Sequence, residues 1–180
     1  MVDTRITDGA LLLRLPEPGD VEAMVAACRD PEIPRWTLVP STYTRADADA
    51  WLPETRRTAE AGSALHLVVV DARDERLLGS VGFVELDLAA GYAEIGYWLG
   101  REARGRGVMA RAVVLLRAHG VARLGLRTFE VIPHRENARS RRVAERTGFT
   151  ALEARRPAPR SLAGADTPRE HVAYVWRSSA

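Results

Sequence analysis

Between residues 65 and 100 the chain reads LHLVVVDARDERLLGSVGFVELDLAAGYAEIGYWLG, three strand-patterned runs joined only by the turns DARDER and LAAG. Parallel neighbours need a crossover of a dozen or more residues, so connections this short impose an antiparallel meander. The flanking patterns differ. Before the meander, ALLLRLPEPGD predicts a strand closed by a Pro/Gly turn, and Asp20 is placed to cap a short helix, VEAMVAACRD. A Pro-broken loop holding Trp36 follows, and then TRADADAWLPETRRTAEAG, whose Thr44 and Asp47 have capping-box spacing while Pro53 predicts a break. After the meander, GVMARAVVLLRAHG predicts a helix stopped at Gly120, LGLRTFEVI a strand, NARSRRVAERTG a capped helix, and FTALEA and HVAYVWR two closing strands. RRPAPRSLAGADTPRE is read as a loop. The expected fold is α/β: a mixed, mostly antiparallel twisted sheet flanked by helices.

The 180 residues fit one domain with a core of its own. Neither a targeting peptide nor a membrane span is legible, and the lone Cys28 forms no intramolecular bridge, so a cytoplasmic protein is expected. All 26 basic residues are Arg, yet the net charge is only +2. A nearly balanced chain whose arginines concentrate at one turn is not expected to bind nucleic acid. The four His and single Cys show no metal-ligand spacing, and no nucleophile elbow occurs.

The turn in question is REARGRGVMARAVVLL, beginning at Arg101. Where a Ser or Asp cap would ordinarily stand, Gly105 and Gly107 alternate with Arg104 and Arg106 ahead of the helical residues Val108, Met109 and Ala110. Glycines that expose backbone amides at a helix start, beside arginines, make an anion site. A Walker loop requires a Lys, which this chain lacks. A dinucleotide fingerprint is matched by Gly105, Gly107 and Ala110, which keeps an NADP-binding oxidoreductase in view. The ribose-binding acid expected some 20 residues on is absent, and the turn follows a meander.

With AEIGYWLG before the turn and HRENARSRRVAERTGF after it, the pattern resembles the GCN5-related N-acetyltransferases, and within them the RimJ/RimL branch. The likeness covers about Leu67 to Phe149. The family motif R/Q-x-x-G-x-G/A maps onto Arg104, Gly107 and Met109, where Met109 departs from the small residue expected. The resemblance implies acetyl-CoA as cosubstrate, with its pyrophosphate over the turn and its pantetheine along Tyr97, Trp98 and Leu99. It also implies that Asn137 contacts the pantetheine and that Ser140 lies near the thioester sulfur. Asn137 is equally placed to be a helix N-cap, and Ser140 an ordinary solvated hydroxyl. Relatives in this family often form homodimers. An inert acyl-CoA sensor is the non-enzymatic reading of the same motifs.

Transfer of an acetyl group to an amine needs positioned reactants, an oxyanion donor and management of two protons, but no metal. Glu94 and Glu130 are the strand carboxylates near the expected cleft. Alternation sets Ala93, Ile95 and Tyr97 on one face and Glu94 with Trp98 on the other, which favours Glu94 as base through a water. Ser140 is the candidate donor to the leaving thiolate. At pH 7 an α-amine is about one-seventh neutral and a Lys amine about one part in 2,500, a gap of about 3.5 kcal/mol that favours an N-terminal or other weakly basic acceptor. Trp36 and Tyr43 are expected to wall the acceptor site with Glu94, while Trp51 is expected in the core. RimL-like relatives carry a carboxylate after the closing Gly-Phe; here the loop is RRPAPR.

Overall fold

The structure, a computed structural model, describes residues 4–156 and 171–178. Eight strands form one sheet in the order β1-β2-β3-β4-β5-β6-β8-β7. The predicted meander is β3 (Leu65–Asp71), β4 (Leu77–Asp87) and β5 (Tyr92–Leu99), each antiparallel to the next. On one flank lie β2 (Leu11–Arg14) and a short β1 (Ile6–Thr7); on the other lie β6 (Thr128–Val131), β7 (Thr150–Arg156) and β8 (His171–Arg177). Among the described residues only β5 and β6 run parallel, and they pair over just Tyr92–Glu94 and Thr128–Glu130.

Strand alternation divides the core between the two faces. On one face Leu67, Val69, Val81, Phe83, Ile95 and Phe129 pack beneath α4 (Val108–Leu124), with α5 (Ala138–Arg146) contributing Ala144. On the other, Val68 and Val70 pack with Val21 and Met24 of α1 (Val21–Cys28) and Ala48 of α3 (Arg45–Ala61). A short α2 (Glu32–Trp36) lies between α1 and α3 in the chain.

Three local expectations are corrected. Asp20 stands at the N-cap position of α1 but makes no cap bond; its carboxylate accepts from the Arg14 guanidinium at 2.7 and 3.0 Å and from the Glu17 amide at 2.8 Å. Helix α3 runs unbroken through Pro53, because the Thr44–Asp47 capping box and a left-handed Gly62 hold its two ends. Helix α4 passes Gly120 and stops at Gly125, which has φ +67°. Gly120 serves packing instead: a Cβ there would lie 2.9 Å from both the Phe83 and Phe129 rings. Because both rings are fully buried, Gly120→Ala is expected to cost about 1 to 2 kcal/mol net of its gain in helix propensity. Thermal unfolding should then show Tm lower by roughly 3 to 6 °C; an unchanged Tm would mean that the rings have room to yield. The predicted loop RRPAPRSLAGADTPRE falls almost entirely outside the described residues.

Candidate active site

The geometry begins where β5 and β6 stop pairing. Beyond Glu94 the strand β5 continues to Leu99 with no register partner in β6, so the edge of Ile95–Leu99 that faces the split is open to another hydrogen-bonding chain. The gap is crossed by side chains. Tyr97 Oη lies 2.8 Å from Ser140 Oγ and donates to the Ser140 carbonyl at 3.2 Å. Burial pushes the Tyr97 hydroxyl well above its ordinary pKa, with the Ser140 bond offsetting part of the rise. Tyr97 therefore stays protonated at neutral pH and is available as a donor. Asn137 caps α5, its Oδ1 accepting from the Ser140 amide at 3.1 Å. The cap leaves the Asn137 NH₂ uncommitted to that bond, so capping and ligand contact are compatible.

A cavity of about 710 Å³ opens from this split toward α1 and α3. Its size lies inside the range of small-ligand sites, about 300 to 1,000 Å³. Asn137, Ser140, Tyr97 and Trp98 line the end at the split, and Trp36 and Tyr43 line the side toward the helices. Trp36 packs against His134 at a ring separation of 5.3 Å. Burial pushes the Tyr43 hydroxyl up to about 12. Trp51 does both jobs, packing on the α1/α3 core and facing the cavity.

Glu94 is 5% exposed and lines the cavity, while Ala93 and Ile95 face the opposite core. A bulge in β4 sets Glu85 opposite Glu94, and Glu130 pairs with Glu94 across β6. Three carboxylates thus stand in register on neighbouring strands. Tyr92 Oη donates to Glu130 at 3.2 Å. Burial and then the Glu130 and Glu94 charges push the Tyr92 hydroxyl up. Glu130 is held by Tyr92 and does not line the cavity, whereas Glu94 does.

The glycine turn lies past the C-terminal end of β5, and none of Arg104–Ala110 lines the cavity. Gly105 and Gly107 both have φ +76°, the left-handed region, and a Cβ on either would meet nothing within 4 Å. Gly107 is the N-cap of α4 and supplies no side-chain bond, so no cap side chain satisfies the first amides of this 17-residue helix. Two expectations change here. Arg104 does not extend toward an anion: Nε and Nη2 donate to the Leu99 carbonyl at 3.0 and 2.8 Å, and Nη1 forms an ion pair with Asp30 at 2.8 Å. The Asp30 contact is a charge contact without a well-aligned hydrogen bond, since that oxygen has no partner of bonding geometry. The Glu32 amide, followed by Arg104, holds the Asp30 carboxyl below its usual value. Arg104 therefore braces the turn against the end of α1, the Leu99 carbonyl is occupied, and Arg101 and Arg106 are left as the exposed arginines ahead of α4. Met109 buries its side chain in the core, so only its amide belongs to the turn; Val108 packs partly against the same core, and Ala110 is half-buried.

Sequence reasoning missed the Tyr97–Ser140 contact, which joins residues 43 positions apart. It also missed Cys28, Glu54, His66 and Ser80 as cavity-lining residues. Burial pushes the Cys28 thiol up to about 12, so it remains a neutral wall. His66 was legible in principle: it is the polar residue on the Val68/Val70 phase of LHLVVV.

The sheet is not doubly wound, which removes the structural context of a dinucleotide fingerprint. Among the described residues no group of His, Cys, Asp and Glu is arranged to hold a metal, and no helix is long and apolar enough to cross a membrane. The acetyltransferase (GNAT) domain profile matches residues 10–150. The ribosomal-protein-serine acetyltransferase of Escherichia coli (strain K12) is 30% identical over 101 residues, 53% of this chain and 56% of that protein. Two solved structures share the fold. RimL, a ribosomal L7/L12 alpha-N-protein acetyltransferase in complex with coenzyme A, superposes with a TM-score of 0.84 at 19% identity, covering 97% of this chain and 98% of that one. An acetyltransferase from Salmonella typhimurium described as modifying the N-terminal serine of ribosomal protein L7/L12 gives 0.80 at 22% identity, covering 98% and 100%. With a family profile spanning residues 10–150, most of its length, this chain belongs to the acetyltransferase (GNAT) domain family.

Proposed function

We propose that this protein transfers the acetyl group of acetyl-CoA to a primary amine by direct attack in a ternary complex. The observation that carries the reading is the continuous path from the uncapped glycine turn, along the unpaired edge of β5, to the Tyr97–Ser140 bridge and the cavity beyond. The amides of Val108, Met109 and Ala110, with Arg106, suit the pyrophosphate. The open edge of Tyr97, Trp98 and Leu99 and the Asn137 amide suit the pantetheine arm, with the Leu99 carbonyl already taken by Arg104. The coenzyme A complex of the RimL structure supports this use of the fold.

The acceptor then enters from the α1/α3 side. Glu94, on the cavity wall, takes its proton through a water, and the Ser140 hydroxyl turns its proton from Tyr97 Oη to the leaving thiolate. A primary α-amine remains the favoured nucleophile on grounds of basicity, and the names of the E. coli and Salmonella relatives agree with it. Because a thiolate leaves readily, Ser140→Ala is expected to lower kcat only about tenfold, with Tyr97→Phe close behind and acetyl-CoA affinity little changed. Steady-state thiol release on both variants checks this. Full activity in both would remove the pair from the reaction.

A further inference from the structure

The acceptor cavity extends well past the point of reaction, and its far end has a chemistry of its own. Its floor is a row of three residues in register across the sheet: His66 on β3, Gly82 on β4 and Gly96 on β5. Neither glycine tolerates a side chain. A Cβ at Gly82 would lie 2.4 Å from the Leu65 carbonyl oxygen, and one at Gly96 would lie 2.5 Å from Val84 Cγ1. The floor is therefore bare between the split, where the acetyl group arrives, and His66. Two strand separations give a span of about 9 to 10 Å.

At the far end three side chains converge. Trp51 and Glu54 lie three residues apart on α3, hence on one helix face, and both line the cavity. The Trp51 ring lies 5.8 Å from the His66 ring. Arg57 grips the Glu54 carboxylate at 2.6 and 2.7 Å, and this bond leads the causes that hold Glu54 below its ordinary pKa. Burial holds His66 toward its neutral form, and no hydrogen bond among the described residues engages its ring. A π face, a neutral imidazole and the Glu54 carboxylate, which an acceptor cation would share with the exposed Arg57, make a receptor for a cation. The rest of the lining agrees. Its acidic residues are Asp47, Glu54 and Glu94, and none of the chain's 26 arginines appears among the described residues that line it.

We infer that Trp51, Glu54 and His66 form a second subsite that reads a cationic group on the acceptor, about 9 to 10 Å from the amine that is acetylated. This rests on the acetyl-transfer reading and narrows its acceptor. Monocationic amines and peptides with an acidic or apolar second residue become poor acceptors. The required chemistry is a nucleophilic amine with a second cation at that distance, supplied either by a free diamine or by a basic side chain next to a peptide N-terminus.

The experiment measures acetyl-CoA-dependent thiol release by the full chain with matched pairs. Diaminohexane is set against hexylamine, with diaminopropane as a diamine too short to span the floor; Ser-Arg-Ala-Ala is set against Ser-Leu-Ala-Ala. In at least one pair the dication should have a kcat/KM at least tenfold higher, carried by KM, and diaminopropane should gain nothing. Whichever pair shows the preference identifies the source. Glu54→Gln, at a half-exposed position that the fold tolerates, should bring the ratio close to one, and Trp51→Leu should reduce it. A ratio near one in both pairs, a ratio unchanged by Glu54→Gln, or turnover only with amines outside both pairs overturns the subsite and leaves acetyl transfer standing. Silence with every amine overturns acetyl transfer itself, and the subsite with it.

Discussion

Gly107→Glu is expected to abolish acetyl-CoA binding while the chain remains folded. Gly107 sits at φ +76° with open space where a Cβ would go, so the substitution meets no neighbour and costs about 1 to 2 kcal/mol for the left-handed conformation. That is a fraction of the stability of an ordinary domain, about 5 to 15 kcal/mol. The new carboxylate projects at the first amides of α4, where it competes for the positive helix end and repels a diphosphate. A loss of at least a hundredfold in acetyl-CoA affinity, read by titration calorimetry beside a circular dichroism spectrum like that of the parent, is the expected result. Gly107→Ala separates conformation from charge and should lose much less. Normal binding by Gly107→Glu would place the phosphates elsewhere.

Glu94→Gln is expected to lower kcat at least a hundredfold with acetyl-CoA affinity unchanged, within the range of about 10² to 10⁴ typical of a removed general base. Glu94 lines the cavity and not the glycine turn, so the split between kcat and cofactor binding distinguishes a base from a structural residue. The neighbouring carboxylates provide a control. Glu130 is in register with Glu94 but is held by Tyr92 and does not line the cavity, so Glu130→Gln should leave the greater part of kcat intact. Pre-steady-state thiol release at saturating acetyl-CoA reads both. Unchanged turnover by Glu94→Gln across pH would remove Glu94 from the mechanism.

Those features that depend on neighbours in the chain were legible. The meander follows from strand alternation and short turns, the Thr44–Asp47 box and the Asn137 cap from three-residue spacing, and the open turn from two glycines at a helix start. Features decided by distant contacts were not. Gly120 reads locally as a helix stop, yet it lies beneath Phe83 and Phe129, and the stop falls at Gly125. Arg104 reads as a phosphate ligand because it stands in the motif, but Asp30, 74 positions earlier, turns it inward. Asp20 reads as a cap and is diverted by Arg14. The same reason hid the Tyr97–Ser140 bridge and the grouping of Trp51, Glu54 and His66, whose members lie on a helix and a strand brought together only by the second core.

The central claim, acetyl transfer to an amine, is tested most directly by acetyl-CoA-dependent thiol release against three acceptor pools: peptides with free N-termini, N-blocked peptides with internal Lys, and small amines including polyamines and aminoglycosides. Turnover is expected in at least one pool, dependent on Glu94 and abolished by Gly107→Glu. No thiol release in any pool, from protein shown to bind acetyl-CoA, would contradict it and leave a cofactor-binding fold without transfer.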